Sequence, residues 1–209
     1  MEDVLDLYEE AYDPLYPQVC FDKRPYQLVS EVRQPIPAKA GQALRYDYEY
    51  RREGTCNLFT SFQPLAGWRH VKVTDRRTKV DFAYCMRDLV DIHFPDARRI
   101  RLVMDNLNTH RLDGLYEVFE PEEARRIARK LEIHYTPLHG SWLNMVEIEI
   151  AVLSSQCLDR RIPSRAILEQ EILAWEQRRN AMGATVNWQF TSADARAKLE
   201  RLYPSNLLQ

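Results

Sequence analysis

The apolar run Ile100, Leu102, Val103, Met104 stops at Asp105 and gives way to Asn106, Asn108, Thr109 and His110. A carboxylate at the C-terminal end of a buried strand sits on rigid support and faces outward, which lets an enzyme present a metal ligand. An Asn/Asp-rich turn after a strand has the same composition, so Asp105 gains chemical meaning only from other carboxylates brought near it. Asp22, closing the short apolar run from Gln18, is one; Glu147 and Glu149, on a later helical stretch, are two more. Three carboxylates in one place repel one another unless a cation neutralises them, and their hard oxygens suit Mg²⁺ or Mn²⁺. Two such ions, roughly 3.5 to 4 Å apart, can activate a water or hydroxyl on one side of a phosphodiester and stabilise the leaving oxygen on the other.

The elements that must position these acids are legible from periodicity. Gln18 to Asp22, Thr55 to Phe62 and Trp68 to Thr74 read as three strands of an antiparallel meander. Pro35, Pro37, Lys39, Gly41 and Gln42 form a loop between the first two, and Tyr46, Tyr48 and Tyr50 are expected to pack on the sheet. Thr78 and Asp81 have capping-box spacing and open a helix whose buried side is expected to hold Val80, Ala83, Tyr84, Leu89 and Val90. The strand ending at Asp105 follows. Pro121 at a first helical position, with Glu122 and Glu123 behind it, predicts a helix to about Lys130. Ile133 to Thr136 is a further short strand. Leu143, Val146, Ile150, Leu153 and Cys157 then recur as the seam of a buried helix, with Ser141 a candidate cap. Helices from Ser164 to Arg179 and from Thr191, with Asp194, complete the chain.

Strand, strand, strand, helix, strand, helix, strand, helix is the order of an α/β, RNase H-like fold with a mixed five-stranded sheet, antiparallel at first and parallel after the crossovers. In that order the first and fourth strands are neighbours, so Asp22 and Asp105 can meet. Glu147 and Glu149 each lie about 80° from the centre of the apolar seam, on opposite edges, and helical geometry does not choose between them.

A chain of 209 residues, 45% hydrophobic, is long enough for one domain with a large core. Cys20, Cys56, Cys85 and Cys157 stand singly, without zinc-ligand spacing, and read as reduced core thiols. No signal peptide or membrane-length apolar run is evident, so a cytoplasmic protein without a membrane partner is expected. The net charge is −2, yet residues 1–13 carry six acids and no base, leaving a mildly basic body. Its bases cluster at Arg76, Arg77 and Lys79, at Arg98, Arg99 and Arg101, at Arg125, Arg126, Arg129 and Lys130, at Arg160, Arg161 and Arg165, and at Arg178 and Arg179. Such clusters neutralise phosphates or form solvated helix faces, and composition favours neither.

Cys20-Phe21-Asp22, Tyr46-Asp47-Tyr48-Glu49-Tyr50-Arg51-Arg52, Thr74-Asp75-Arg76-Arg77-Thr78, Asp105-Asn106-Leu107-Asn108-Thr109-His110, His134-Tyr135-Thr136-Pro137, Gly140-Ser141-Trp142-Leu143-Asn144-Met145-Val146-Glu147 and Gln156-Cys157-Leu158-Asp159-Arg160-Arg161 together resemble the DDE catalytic domain of IS630-family transposases, bacterial relatives of the Tc1/mariner transposases. The resemblance covers about residues 15–205 and leaves an acidic segment, residues 1–14, before it. It implies a catalytic and metal-binding triad of Asp22, Asp105 and Glu147, with Glu149 a surface or supporting acid. Two Mg²⁺ or Mn²⁺ ions would direct water at DNA strands at element ends, after which the freed 3′-hydroxyl attacks target DNA. Asn106 and His110 are candidate supports, and Lys23, Arg76, Arg77, Trp142, Arg160 and Arg161 candidate DNA contacts.

Lys23 and Arg24 depart from the family, which usually carries an acid after the first Asp. A second departure is the absence of a helix-turn-helix module ahead of the first strand. The resemblance therefore implies DNA as partner, a homodimer on paired ends, and residence at the nucleoid when bound to DNA, with recognition of those ends either supplied by another, upstream helix-turn-helix polypeptide or reading frame, or lost. The alternative is a catalytically silent remnant or regulatory domain that binds DNA or a transposase subunit without cutting.

Overall fold

A computed structural model of the chain describes residues 1–106 and 111–203. Five strands, β1 (Gln18–Glu31), β2 (Tyr50–Gln63), β3 (Trp68–Thr74), β4 (Ile100–Met104) and β5 (Leu131–Tyr135), form one sheet in the order β3-β2-β1-β4-β5. β1, β2 and β3 pair antiparallel, whereas β4 pairs parallel with both β1 and β5. The helices are α1 (Glu2–Glu9), α2 (Lys79–Asp88), α3 (Pro121–Lys130), α4 (Val146–Gln156), α5 (Arg165–Ala181) and α6 (Ser192–Lys198). The five-stranded mixed sheet expected from element order is present, and β3 has the boundaries its alternation predicts.

Alternation divides the sheet's two faces between different helices. Val19, Phe21, Leu102 and Met104 point to one side, where Phe82 and Met86 of α2 and Ala124 and Ile127 of α3 cover them. Cys20 and Val103 point to the other, beneath α1 and the start of α4. Leu58, Val71 and Val73 continue that second face under the end of α4 and under α5, where Trp175 is buried. All four cysteines are free and buried.

As an edge strand, β3 would expose unpaired backbone groups, and α5 satisfies them with side chains. Asn180 accepts from the Arg69 N–H and donates to its carbonyl, both at 2.9 Å. Glu176 accepts from Val71 N–H at 2.9 Å, and Arg165 donates to the Val73 carbonyl. The helix thus blunts the edge that a second chain could otherwise extend.

Several elements differ from expectation. β1 and β2 run well past Asp22 and ahead of Thr55, so they form a long two-stranded arm rather than a short meander. Within it the register slips between Leu28 and Val29, opposite Gly54, whose φ of 115° favours glycine and marks a bulge. Tyr46, Tyr48 and Tyr50 do not pack on a covered face of the sheet: the first two precede β2, Tyr50 opens it, all three are exposed, and the Arg161 guanidinium lies over the Tyr46 and Tyr50 rings.

On α2 the capping box of Thr78 and Asp81 forms, but the buried side is Phe82, Ala83, Cys85 and Met86, with Val80 and Tyr84 exposed. Phe82, Met86 and Leu89 make one helical stripe that leaves Val80 and Tyr84 outside it, and a π-helical turn, Leu89–His93, follows α2 without a break with Leu89 and Val90 buried as expected. Residues 1–14 include a docked helix, since Val4, Leu5, Leu7 and Tyr8 of α1 are buried against β1, α4 and α6. Its acids meet the basic body: Asp3 pairs with His134, Glu10 with Arg101 and Glu2 with Arg196.

The π-helical turn carries a titratable ring into the fold. His93 stacks near His70 and Trp68, with ring centroids 4.4 and 5.1 Å away. Burial, reinforced by the neighbouring charge of His70 and of Lys72 and opposed by Asp88 and Glu176, pulls its pKa from 6.5 to about 4. Between those values the unfolded chain binds a proton that the folded chain refuses, so stability is complete above about pH 6.5 and declines as pH falls toward 4. Melting temperatures recorded across this window should fall with acidification, and His93→Phe should flatten the slope; an equal slope in the variant would refute the assignment.

Candidate active site

Asp22 and Asp105 are brought together by strand register. β1 and β4 run parallel with Cys20 beside Val103, and two residues further on come Asp22 and Asp105. Period-2 alternation gives both acids the face of Cys20 and Val103, the side covered by α4, just past the apolar patch. Both are half-buried. One Asp22 carboxylate oxygen accepts the backbone N–H of Lys23 at 2.7 Å, which fixes its orientation.

The Lys23 ammonium lies within the field of both acids. Burial lowers its pKa, the charges of Asp105 and Asp22 oppose that shift, and the positive charge of Arg77 adds to it. The base that departs from the family pattern therefore partly offsets the repulsion between the two aspartates, and Arg77, exposed on the loop before α2, projects its charge to the same place. Arg76 is exposed on that loop too, while the Arg24 guanidinium is bonded to Ser154 of α4.

The acids of α4 have different partners. Glu149 is 1% exposed and locked between two arginines: it pairs with Arg69 Nε at 3.0 Å, itself fully buried on β3, and with Arg179 of α5 at 3.1 Å. Arg69 also donates to the carbonyls of Gly67 and Ala184. Burial lowers the Arg69 pKa and the Glu149 charge beside it opposes the shift. Glu149 is thus neither a surface acid nor available to an external cation. Glu147, roughly 160° away round the helix, occupies the opposite flank in the first turn and is exposed.

Ser141 does not cap α4. It opens a short 3₁₀ turn, Ser141–Leu143, and the carboxamide of buried Asn144 instead accepts from Val146 N–H at 3.4 Å. Sequence reasoning gave Asn144 no role, although it stands three residues before Glu147 and its amide is the kind that caps a helix. Nδ2 of the same amide donates to the Phe21 carbonyl at 2.9 Å.

Three other candidates have partners of their own. Trp142 is 44% exposed and stacks on Trp188, with Phe190 edge-on, beside a cleft lined by Leu138 and His139. Arg161 is engaged by Glu31 and by the carbonyls of Asp47 and Glu49 at the root of the arm, and Arg160 pairs with Glu171. Both are structural clamps in this conformation. Asn106 is exposed, and His110 lies outside the described residues.

The donor chemistry at this strand end, two half-buried aspartates and an exposed glutamate, suits a hard divalent cation better than a thiophilic one. Among the described residues no three His, Cys, Asp or Glu side chains are gathered closely enough to make a ready metal-holding group. The fit thus rests on oxygen donors and on the parallel register that ends two residues before both aspartates.

Comparison with solved structures gives the same architecture. The Mos1 transposase paired-end complex with left transposon end superposes with a TM-score of 0.57 at 12% identity, covering 88% of this chain and 57% of that one. The crystal structure of the Mos1 mariner paired-end complex with Mn gives 0.55 at 13% identity with the same coverage. The chain therefore spans little more than half the length of these relatives, and at such identity the likeness establishes the RNase H-like fold. Among curated proteins no sequence matches significantly. A family profile does match, from residue 17 to residue 169, a stretch that begins one residue before β1, contains Asp22, Asp105 and Glu147, and ends in α5. With nearly three quarters of its length inside that match, the chain belongs to the DDE superfamily endonucleases.

Proposed function

We propose that this chain is the catalytic domain of an IS630-type transposase, with Asp22, Asp105 and Glu147 as the three carboxylates that hold two Mg²⁺ or Mn²⁺ ions. The observation that carries the reading is the β1–β4 register, whose last pair, Cys20 beside Val103, stands two residues before both Asp22 and Asp105, next to a helix whose other acid, Glu149, is consumed by Arg69 and Arg179. When bound, the ions supply Lewis-acid activation of an attacking oxygen and stabilisation of the leaving one.

The chain's own residues do the rest. The ladder of β1 and the end of β4 keep the two aspartates on rigid backbone, and the Lys23 N–H holds Asp22 in one rotamer. Lys23 lowers the mutual repulsion of the aspartates, and with Arg76 and Arg77 it offers positive charge to DNA phosphates beside the reacting bond. Glu147, exposed and unencumbered by arginine, is free to turn toward a cation. The reaction is hydrolytic cleavage at element ends followed by attack of the 3′-hydroxyl on target DNA, by a homodimer on paired ends, with end recognition contributed by a helix-turn-helix polypeptide.

Supercoiled plasmid or element-end DNA incubated with the purified chain should be nicked only when Mg²⁺ or Mn²⁺ is present, and addition of EDTA should stop the reaction. If wild type with metal, element ends and a helix-turn-helix partner cuts no more than Asp105→Asn, the chain is a silent remnant that binds without cutting.

A further inference from the structure

Asp22 lies within β1 and Asp105 just past the end of β4, whereas the third proposed ligand rides on a helix, so something must fix the distance between β1 and the first turn of α4. Asn144 spans that gap. Its side chain is 3% exposed and both ends of its amide are used: Nδ2 donates to the carbonyl of Phe21, the residue joined to Asp22, at 2.9 Å, while Oδ1 accepts from Val146 N–H at 3.4 Å. Its own carbonyl takes the N–H of Glu147 at 3.0 Å. One residue thus grips the peptide beside Asp22 and the peptide of Glu147.

The other polar anchors of α4 lie elsewhere. The Arg69–Glu149–Arg179 group holds the opposite flank toward β3, and the Arg24–Ser154 bond joins β1 to α4 about two turns further along. Tyr8 of α1 donates to the Leu143 carbonyl at 2.7 Å, which steadies the preceding turn without touching β1's backbone or Glu147. We propose that Asn144 is a positioning residue that sets Glu147 against Asp22 and so determines the affinity of the site for divalent metal. The inference rests on the triad reading above. Groups that orient metal ligands without touching the ion commonly change metal affinity when removed, on the order of tenfold or more.

The test is a Mn²⁺ titration of the purified chain followed by electron paramagnetic resonance, with thermal melting measured in parallel. Asn144→Ala should weaken Mn²⁺ binding on the order of tenfold and lower the melting temperature. Asn144→Ser keeps a hydroxyl able to cap α4 but too short to reach Phe21; it should melt between Asn144→Ala and wild type and still bind Mn²⁺ weakly, which covers the case in which Asn144→Ala fails to fold. Tyr8→Phe, losing a neighbouring buried hydrogen bond, should melt lower yet bind Mn²⁺ as wild type does. Wild-type Mn²⁺ affinity in Asn144→Ser, alongside weakened binding in Glu147→Gln, would overturn the role of Asn144 alone. Unchanged binding in Glu147→Gln would overturn the triad, and the inference with it.

Discussion

Replacing Asp105 with Asn should abolish metal-dependent DNA cleavage while leaving the fold intact. The substitution keeps the shape and removes one anionic oxygen donor from the pair that the β1–β4 register aligns. Charge stabilisation by a bound cation supplies several kcal/mol in a phosphoryl-transfer transition state, so the loss should be about a thousandfold or more in rate. Stability should hardly move, because relief of repulsion with Asp22 offsets the lost attraction to Lys23; the expected change is within about 0.5 kcal/mol. Plasmid-nicking rates and urea denaturation of the same preparations check both halves. A variant that cuts at the wild-type rate would remove Asp105 from the chemistry.

The second large effect belongs to Glu149, and it is one of stability. Glu149→Ala leaves the guanidinium of Arg69, fully buried, beside that of Arg179 with no anion between them. Breaking a buried pair by removing one partner costs about 3–5 kcal/mol, a large share of the ~5–15 kcal/mol that holds a domain folded. Glu147→Ala, two residues away on an exposed flank, should cost at most about 0.5 kcal/mol. Urea midpoints for the two variants would therefore separate a structural acid from a candidate ligand without any DNA in the tube. Equal midpoints would show that the buried arrangement around Glu149 does not carry the load assigned to it.

These two acids also show where sequence reading stopped. The seam Leu143, Val146, Ile150, Leu153 and Cys157 is buried as its spacing demands, and placed both glutamates at the seam's edges. What distinguishes them is Arg69 on β3 and Arg179 on α5, partners remote in sequence that no local pattern reveals. Local chemistry was more legible: Pro121 starts α3, Thr78 with Asp81 and Thr191 with Asp194 form capping boxes, and Ser164 caps α5.

Elements defined by distant contacts were not legible. Helix α1 has its buried Val4, Leu5, Leu7 and Tyr8 in an acidic segment to which periodicity assigns no element. The arm formed by β1 and β2 is exposed at its far end, where no hydrophobic alternation is required and none marks its length. On α2 the periodicity places Ala83, Leu89 and Val90 correctly in the core but puts exposed Val80 and Tyr84 there in place of Phe82 and Met86. Of the site itself, Asp22 and Asp105 could be paired from strand order alone, whereas Asn144 emerged only when its amide was found between Phe21 and Val146.

The proposed role of Asp22, Asp105 and Glu147 is to hold divalent metal together. Anomalous diffraction from crystals soaked in Mn²⁺ addresses it most directly. The expected result is Mn²⁺ bound between Asp22 and Asp105 with the Glu147 carboxylate turned toward it, and Glu149 still paired with its two arginines. Manganese bound through Glu149 with Glu147 pointing away, or bound without either aspartate, would contradict it.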